Sequence, residues 1–367
     1  MKRFSFVLSV CAVVLGVLGA ISSLLYFLFQ NDAAFMQRWL HTVALGWGRL
    51  CSGICAFVPF SVAELCWTAA ILGLLVFVGL LIRLLVQRKT GWKKALLVRL
   101  GCLACVGLFI SSGYTALWGV GYRSPAFYSD PDKLVSEPVS LEDLTAVTAW
   151  FAAGANATSD LVQRDETGLF AEDVSEMFSR TDHLYDALSV EFPALSAPVR
   201  RAKPMLYSAL MSRLGFTGFY FPFTGEANVN VHSPACLIPA TIAHELAHQR
   251  GVVFEDEANF TAIAACLSQQ DDVFRYSAYL MGYIHLSNAL FSADRDAWQQ
   301  ISSNLNRQVL VDLEDNNAFW AKYESPVSDA AEGVYEGFLQ SHGETRGMQS
   351  YGACVNLLVK HYRQQAI

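Results

Sequence analysis

Three long uncharged stretches dominate the first third of the chain. Phe4 to Asn31, Leu65 to Ile82 and Leu100 to Val120 hold no Asp, Glu, Lys or Arg. Each reaches the roughly 18–20 residues that an α-helix needs to cross a hydrocarbon core. The pattern therefore predicts transmembrane helices over about 4–29, 63–82 and 100–120. Lys2-Arg3 and Gly19-Ala20 together have the look of a cleavable signal, but the apolar run continues through Leu24-Leu25-Tyr26-Phe27, too long for a signal core. Between the first two runs, Phe35, Trp39, Val43, Trp47, Leu50, Ile54 and Phe57 recur at helical spacing, with Arg38 and Arg49 off the stripe. That predicts an amphipathic helix near 35–57, lying either in the membrane interface or beneath an outer domain.

Beyond Ser140 the apolar positions recur at helical spacing over 141–162 and 171–190, the latter closed by Phe192-Pro193, and Pro204 opens a short helix through Ser212. Then the texture changes. Gly215 to Gly225 is rich in glycine and aromatic residues, and Ala227 to Val231 alternates as a strand does. Four further helices are predicted over about 255–269, 272–293, 295–321 and 328–363, the last broken near Gly343–Gly347. The expected fold is mainly α (α+β). A membrane domain of three helices over 1–121 precedes a helical outer domain with a small β-sheet over 122–367.

Charge orients this layout. Arg83, Arg88, Lys89, Lys93, Lys94 and Arg99 lie between the second and third runs with no acidic residue among them, so this loop and Lys2-Arg3 are expected on the cytoplasmic side. Three crossings then put residues after about Tyr122 outside the cytoplasm, in the cell envelope of what reads as a bacterial multi-pass membrane protein. Ten of the 26 Lys/Arg but two of the 33 Asp/Glu precede residue 122, leaving 16 and 31 after it, a net charge of −15. Such acidity argues against a nucleic-acid partner. The nine cysteines fit neither a disulfide framework nor zinc-ribbon spacing, and read as small apolar residues.

Candidate chemistry sits at His244-Glu245-Leu246-Ala247-His248. On a helix, histidines at i and i+4 project from one face and can reach one Zn²⁺ ion, while Glu245 beside the first of them can take a proton from an attacking water. Pro239 suits the first turn of that helix and Gly251 its end. Catalytic zinc usually takes a third protein ligand. Glu255 is the choice for that role, with Glu257 the runner-up. Asn259 lies one turn beyond Glu255 and can accept from a ligating histidine. Asn228-Val229-Asn230-Val231 precedes the zinc helix, where an edge strand could pair with an extended substrate. Arg250 is expected to pair with the acidic cluster.

His244-Glu245-x-x-His248 followed by Glu255-x-x-Ala258-Asn259 resembles the gluzincin metallopeptidases, whose third ligand is a glutamate. Phe254 stands where a metzincin has its third histidine, which excludes that family. In layout the chain resembles membrane zinc proteases of the heat-shock and prenyl-protein-processing type. It is still more similar to an uncharacterised bacterial membrane family, known as a domain of unknown function, with Thr-Gly-Glu, His-Glu-Leu-Ala-His-Gln-Arg-Gly, Glu-Asp-Glu-Ala-Asn-Phe and Ser-Tyr-Gly. Those motifs stand here at Thr224–Glu226, His244–Gly251, Glu255–Phe260 and Ser350–Gly352. The resemblance implies Tyr351 as donor to an oxyanion, with Tyr276, Tyr279 and His285 behind it.

The expectation is a membrane-anchored zinc metalloendopeptidase, with the lipid bilayer and a peptide or protein substrate, such as a membrane or envelope protein, as its partners. Two rivals stand beside it. One is a zinc-containing membrane sensor or scaffold without catalysis, and the other a zinc hydrolase of non-peptide amides in the cell envelope. An intact Glu245 speaks against the first, because a structural site has no use for a general base.

Overall fold

A computed structural model describes residues 2–88, 90–127, 139–341 and 351–366. The uncharged runs form α1 (Lys2–Phe29), α4 (Val62–Gln87) and α5 (Trp92–Leu117), separated by α2 (Ala33–Trp39), a π-helical turn at Leu40–Ala44 and α3 (Leu45–Cys55). Among the described residues, three helices are thus long and apolar enough to cross a membrane. The third begins well before the uncharged stretch, because Lys93, Lys94 and Arg99 occupy its first turns, and Arg99 donates to the Leu80 carbonyl across the hairpin. What reads as a cationic loop is therefore mostly helix ends. The reversal itself rests on Arg88 and Gly91, both at positive φ.

Outside this region lie α6 (Leu141–Ser159), α7 (Val174–Ser179), α8 (Asp186–Glu191), α9 (Ser208–Arg213), α10 (Ile238–Gln249), α11 (Glu255–Leu267) and α12 (Asp272–Ala293). They are followed by α13 (Arg295–Ser302), α14 (Arg307–Ala321), α15 (Pro326–Ser341) and α16 (Tyr351–Ala366). The 171–190 pattern breaks into two short helices. The 295–321 pattern also divides, where Asn306 accepts from the Val309 amide and caps α14. Pro204 does not open a helix. It ends β1 (Lys203–Pro204), which runs parallel to β3 (Glu226–Val229), while β2 (Gly218–Phe221) pairs antiparallel to β3 on its other side.

Two apolar clusters hold the molecule together. In the larger, α10 and α11 are enclosed by α6, α12 and α16, with Phe151, Leu246, Phe260, Phe274 and Tyr276 fully buried. Truncating one such phenylalanine typically costs about 3–5 kcal/mol. Cys236, Cys266 and Cys354 are buried there as free thiols. The smaller cluster joins Met36, Leu40, Ala44 and Leu45 to Trp118, Val120, Tyr122, Val253 and Phe254. It ties the amphipathic segment and the end of α5 to the loop between α10 and α11. The amphipathic segment thus packs by one face against Trp118, Tyr122, Val253 and Phe254. Its opposite face keeps Val43, Trp47, Leu50, Ile54 and Phe57 exposed, with Phe57 at 91%.

Carboxylates clamp α4 to the sheet. Glu226 accepts from the Val62 and Ala63 amides at 3.2 and 2.9 Å and pairs with Lys203 Nζ at 2.7 Å. Glu64 accepts from the Leu206 and Tyr207 amides in return. The first orphan amides of a buried helix end are thereby satisfied from the neighbouring element.

Candidate metal centre

The helix α10 carries both histidines because its local sequence starts and stops it cleanly. Pro239 occupies the first turn, where its missing N–H costs nothing. At the other end Gly251 adopts φ 95°, its amide reaches the His248 carbonyl, and the Val252 amide reaches Ala247. A β-carbon at Gly251 would also stand 2.8 Å from Leu45, so glycine serves both the turn and the packing.

His244 and His248 project from one face of α10, and α11 sets Glu255 opposite them. Glu255 Oε2 lies 3.1 Å from His244 Nε2 and 3.6 Å from His248 Nε2. Donor atoms around a tetrahedral zinc at about 2.0–2.1 Å stand roughly 3.4 Å apart, so the observed spacings bracket that value. The other ring nitrogens are already engaged: His244 Nδ1 faces Asn259 Oδ1 at 2.8 Å, and His248 Nδ1 faces the Val252 carbonyl at 2.7 Å. Acceptors at Nδ1 hold a proton there and aim both Nε2 atoms at the common point. Two imidazoles and one carboxylate with this orientation could hold a divalent cation of the zinc type, and all three residues line the adjoining cavity.

Electrostatics sharpen the arrangement. Burial opposes charge on His248, but Glu255 and Glu245 outweigh it and push the imidazole up to about 9. Burial likewise opposes charge on Glu255, yet the two histidines hold its carboxyl well below the usual range. Glu245 is 2% exposed, and burial, partly offset by the histidines, pushes its carboxyl up to about 7. Its Oε2 has no hydrogen-bond partner among the described residues. A buried acceptor left open in this way costs about 1–3 kcal/mol.

The remaining expected residues scatter. Glu257 is buried on the other side of α11, where its Oε2 accepts from the Phe127 amide at 2.9 Å, far from any ligand role. Arg250 does not join the acidic cluster. It stacks over the Tyr185 ring at 4.0 Å and donates to the Leu195 and Leu246 carbonyls, because the end of α10 points it into the core. Tyr276 donates to Asp312 within the core, and Tyr279 packs on Trp150 and Phe151. His285 does line the cavity, with burial holding its imidazole down at about 4. Tyr351 begins α16, and its side chain lies outside the described residues.

The expected substrate strand is also corrected. β3 is the middle strand, so both its edges are filled, and Asn228 and Asn230 are fully buried. Asn228 accepts from Ser61 and donates to the Phe219 and Glu226 carbonyls, while Asn230 ties Ser212, Phe216 and His232 together. Among the described residues β1 and β2 are the edge strands, and of the two it is β2 that runs along the cavity. The glycine- and aromatic-rich texture of 215–225 was the available signal for it.

Tyr335 is a site residue that sequence reasoning missed. From α15 it donates to Glu255 Oε1 at 2.8 Å, leaving Oε2 to face the histidines. Trp118 is another, with its ring edge-on to His248 at 5.6 Å. Tyr335 lies 80 residues beyond Glu255, and Trp118 follows the end of α5 far ahead of the histidine motif, where no spacing rule reaches.

The chain belongs to the family described as "Protein of unknown function (DUF3810)", whose family model matches residues 43–359. That span takes in α4, α5 and every residue of the candidate centre. No curated protein and no solved structure matches the chain.

Proposed function

We propose that this protein is a membrane-anchored, zinc-dependent metallopeptidase of the gluzincin type. Its ligands are His244, His248 and Glu255, and Glu245 is its general base. What carries the reading is one juxtaposition: a buried carboxylate with an unsatisfied oxygen beside a converging His-His-Glu donor set. A bound zinc supplies Lewis acidity toward a carbonyl and a water. Glu245 accepts the proton of the attacking water at Oε2 and passes it to the leaving amine, a role suited by its buried position beside the donor set. Asn259 and the Val252 carbonyl hold the ligand imidazoles in orientation. The free edge of β2 takes an extended chain by backbone pairing, which favours a peptide over the isolated amides of a non-peptide substrate. A scaffold would have no use for an orphaned carboxylate at this position.

The catalytic side is assigned outside the cytoplasm, on the basic residues clustered at the α4–α5 hairpin. The exposed apolar face of the amphipathic segment, from Val43 to Phe57, then rests on the outer leaflet.

The test is metal analysis of purified protein paired with Glu245→Gln in a peptide-cleavage assay. Zinc retained at one ion per chain, with hydrolysis lowered about 10²–10⁴-fold, is the expected result. Unchanged hydrolysis in the variant would eliminate the assignment.

A further inference from the structure

The cavity at the metal-site residues, about 1100 Å³, is not enclosed by the outer domain alone. Cys66, Trp67 and Ala70 of α4 form one wall, and Gly107, Ile110 and Ser111 of α5 form another. Each trio follows helical spacing, so one face of each membrane-length helix looks into the same space as His244, Glu245 and Glu255. Gly107 lies ten residues before the end of α5, which places it about 15 Å down the helix. That is half the thickness of a hydrocarbon core of about 30 Å.

The gap between the two helices is open. α1 packs along α5, but α4 touches α5 sparsely, and the most apolar window of α4 has no buried residue. The hairpin of β2 and β3 dips into this space from above. Phe221 meets Trp67 of α4 at 6.0 Å, and Phe223 approaches Gly113 of α5 so closely that a β-carbon there would stand 3.1 Å from it. The free edge of β2 therefore begins beside the facing ends of α4 and α5, and Gly218 on the same strand lies against Glu245.

We propose that the scissile peptide bond belongs to a membrane-embedded polypeptide. Its hydrophobic helix lodges sideways between α4 and α5, while the adjoining segment unwinds along β2 to Glu245. This names the substrate class for the metallopeptidase reading and rests on that reading. Two features select a peptide over a lipid: the free backbone edge, which pairs with an extended chain, and its continuity with the apolar gap. A soluble peptide has no need of a wall reaching halfway into the membrane.

The probes are one short randomised segment free in solution and the same segment fused to a Leu–Ala helix of about 20 residues in phosphatidylethanolamine–phosphatidylglycerol vesicles. Full-length zinc-loaded protein is reconstituted in the same vesicles. A side chain at Gly107 or at Gly101 meets nothing within 4 Å, but only Gly107 lines the cavity. Gly107→Trp should therefore block the gap, and Gly101→Trp controls for a tryptophan added to α5. The fused segment is expected to be cut at least about tenfold faster than the free one. Gly107→Trp should lower the fused rate relative to the free rate, again by about tenfold or more, with zinc content unchanged. Equal cleavage of both probes, or equal behaviour of the two tryptophan variants, would overturn lateral access while leaving the metallopeptidase standing.

Binding is read independently of turnover in Glu245→Gln protein carrying a photo-reactive residue at position 110. Crosslinking to the fused helix supports the proposal even where no cleavage occurs. Crosslinking to phospholipid alone, undiminished by the fused probe, overturns it. Absence of cleavage of either probe by zinc-loaded wild type counts against the hydrolase reading itself.

Discussion

Gly218 on the edge strand lies directly against the Glu245 carboxylate: a β-carbon at Gly218 would stand 2.6 Å from Glu245 Oε1 and 2.8 Å from the Asn228 carbonyl. The second of these is backbone within the paired sheet and cannot retreat. Any side chain at 218 must therefore displace the carboxylate or the strand. Gly218→Ala is expected to keep its zinc, to lose about 1–3 kcal/mol of stability and to fall at least about tenfold in hydrolysis. Wild-type turnover by this variant would show that β2 does not position Glu245.

The two carboxylates at the start of α11 should separate cleanly by readout. Glu255→Ala removes a donor from the centre and should purify zinc-poor, like wild type treated with a chelator, whose activity should return on adding zinc. Glu257→Ala should retain zinc but melt earlier. It removes the carboxylate that accepts from the Phe127 amide, a loss of about 1–3 kcal/mol. Asn259→Ala should bind zinc about 10–100-fold more weakly. Metal analysis and thermal unfolding together check all three, and zinc loss in Glu257→Ala would contradict the geometry.

Tyr335 acts on the centre through Glu255. Its hydroxyl holds Oε1, which leaves Oε2 to face both histidines. Tyr335→Phe removes that bond at little cost in volume, so zinc affinity measured against a competing chelator should drop by about 10-fold or more. An unchanged affinity would mean that Glu255 is held by the metal alone.

The α4 clamp makes a prediction about stability. Glu226→Ala would leave Lys203 without its carboxylate partner and free two helix-end amides, a loss of about 3–5 kcal/mol. Glu226→Gln keeps an acceptor oxygen and should lose less. Both are read as thermal unfolding in detergent. Melting at the wild-type temperature in Glu226→Ala would show that α4 is held by other contacts.

Orientation is checked with reporter fusions. One placed after Leu141 should be active only outside the cytoplasm, and one near Thr90, in the turn between α4 and α5, only inside. The opposite pattern would move the proposed catalytic side into the cytoplasm.

The sequence by itself determined those features that depend on near neighbours along the chain. The membrane-length helices were legible because an uncharged run of sufficient length is its own signal. The facing histidines followed from a spacing of four, and the shared face of Glu255 and Asn259 from the same helical geometry, while the structure assigned Asn259 to His244 rather than His248. Tertiary structure decided the rest. Glu257 and Arg250 look like partners of the centre in sequence, yet packing turned both away, one to Phe127 and the other over Tyr185. That β3 has no free edge depends on β1, a two-residue strand that no periodicity marks, and Asn228 and Asn230 are buried there. Tyr335, Trp118 and the gap between α4 and α5 come from contacts between residues far apart in the chain. Local propensity carries no information about such contacts; only the closing of the apolar clusters brings those residues together.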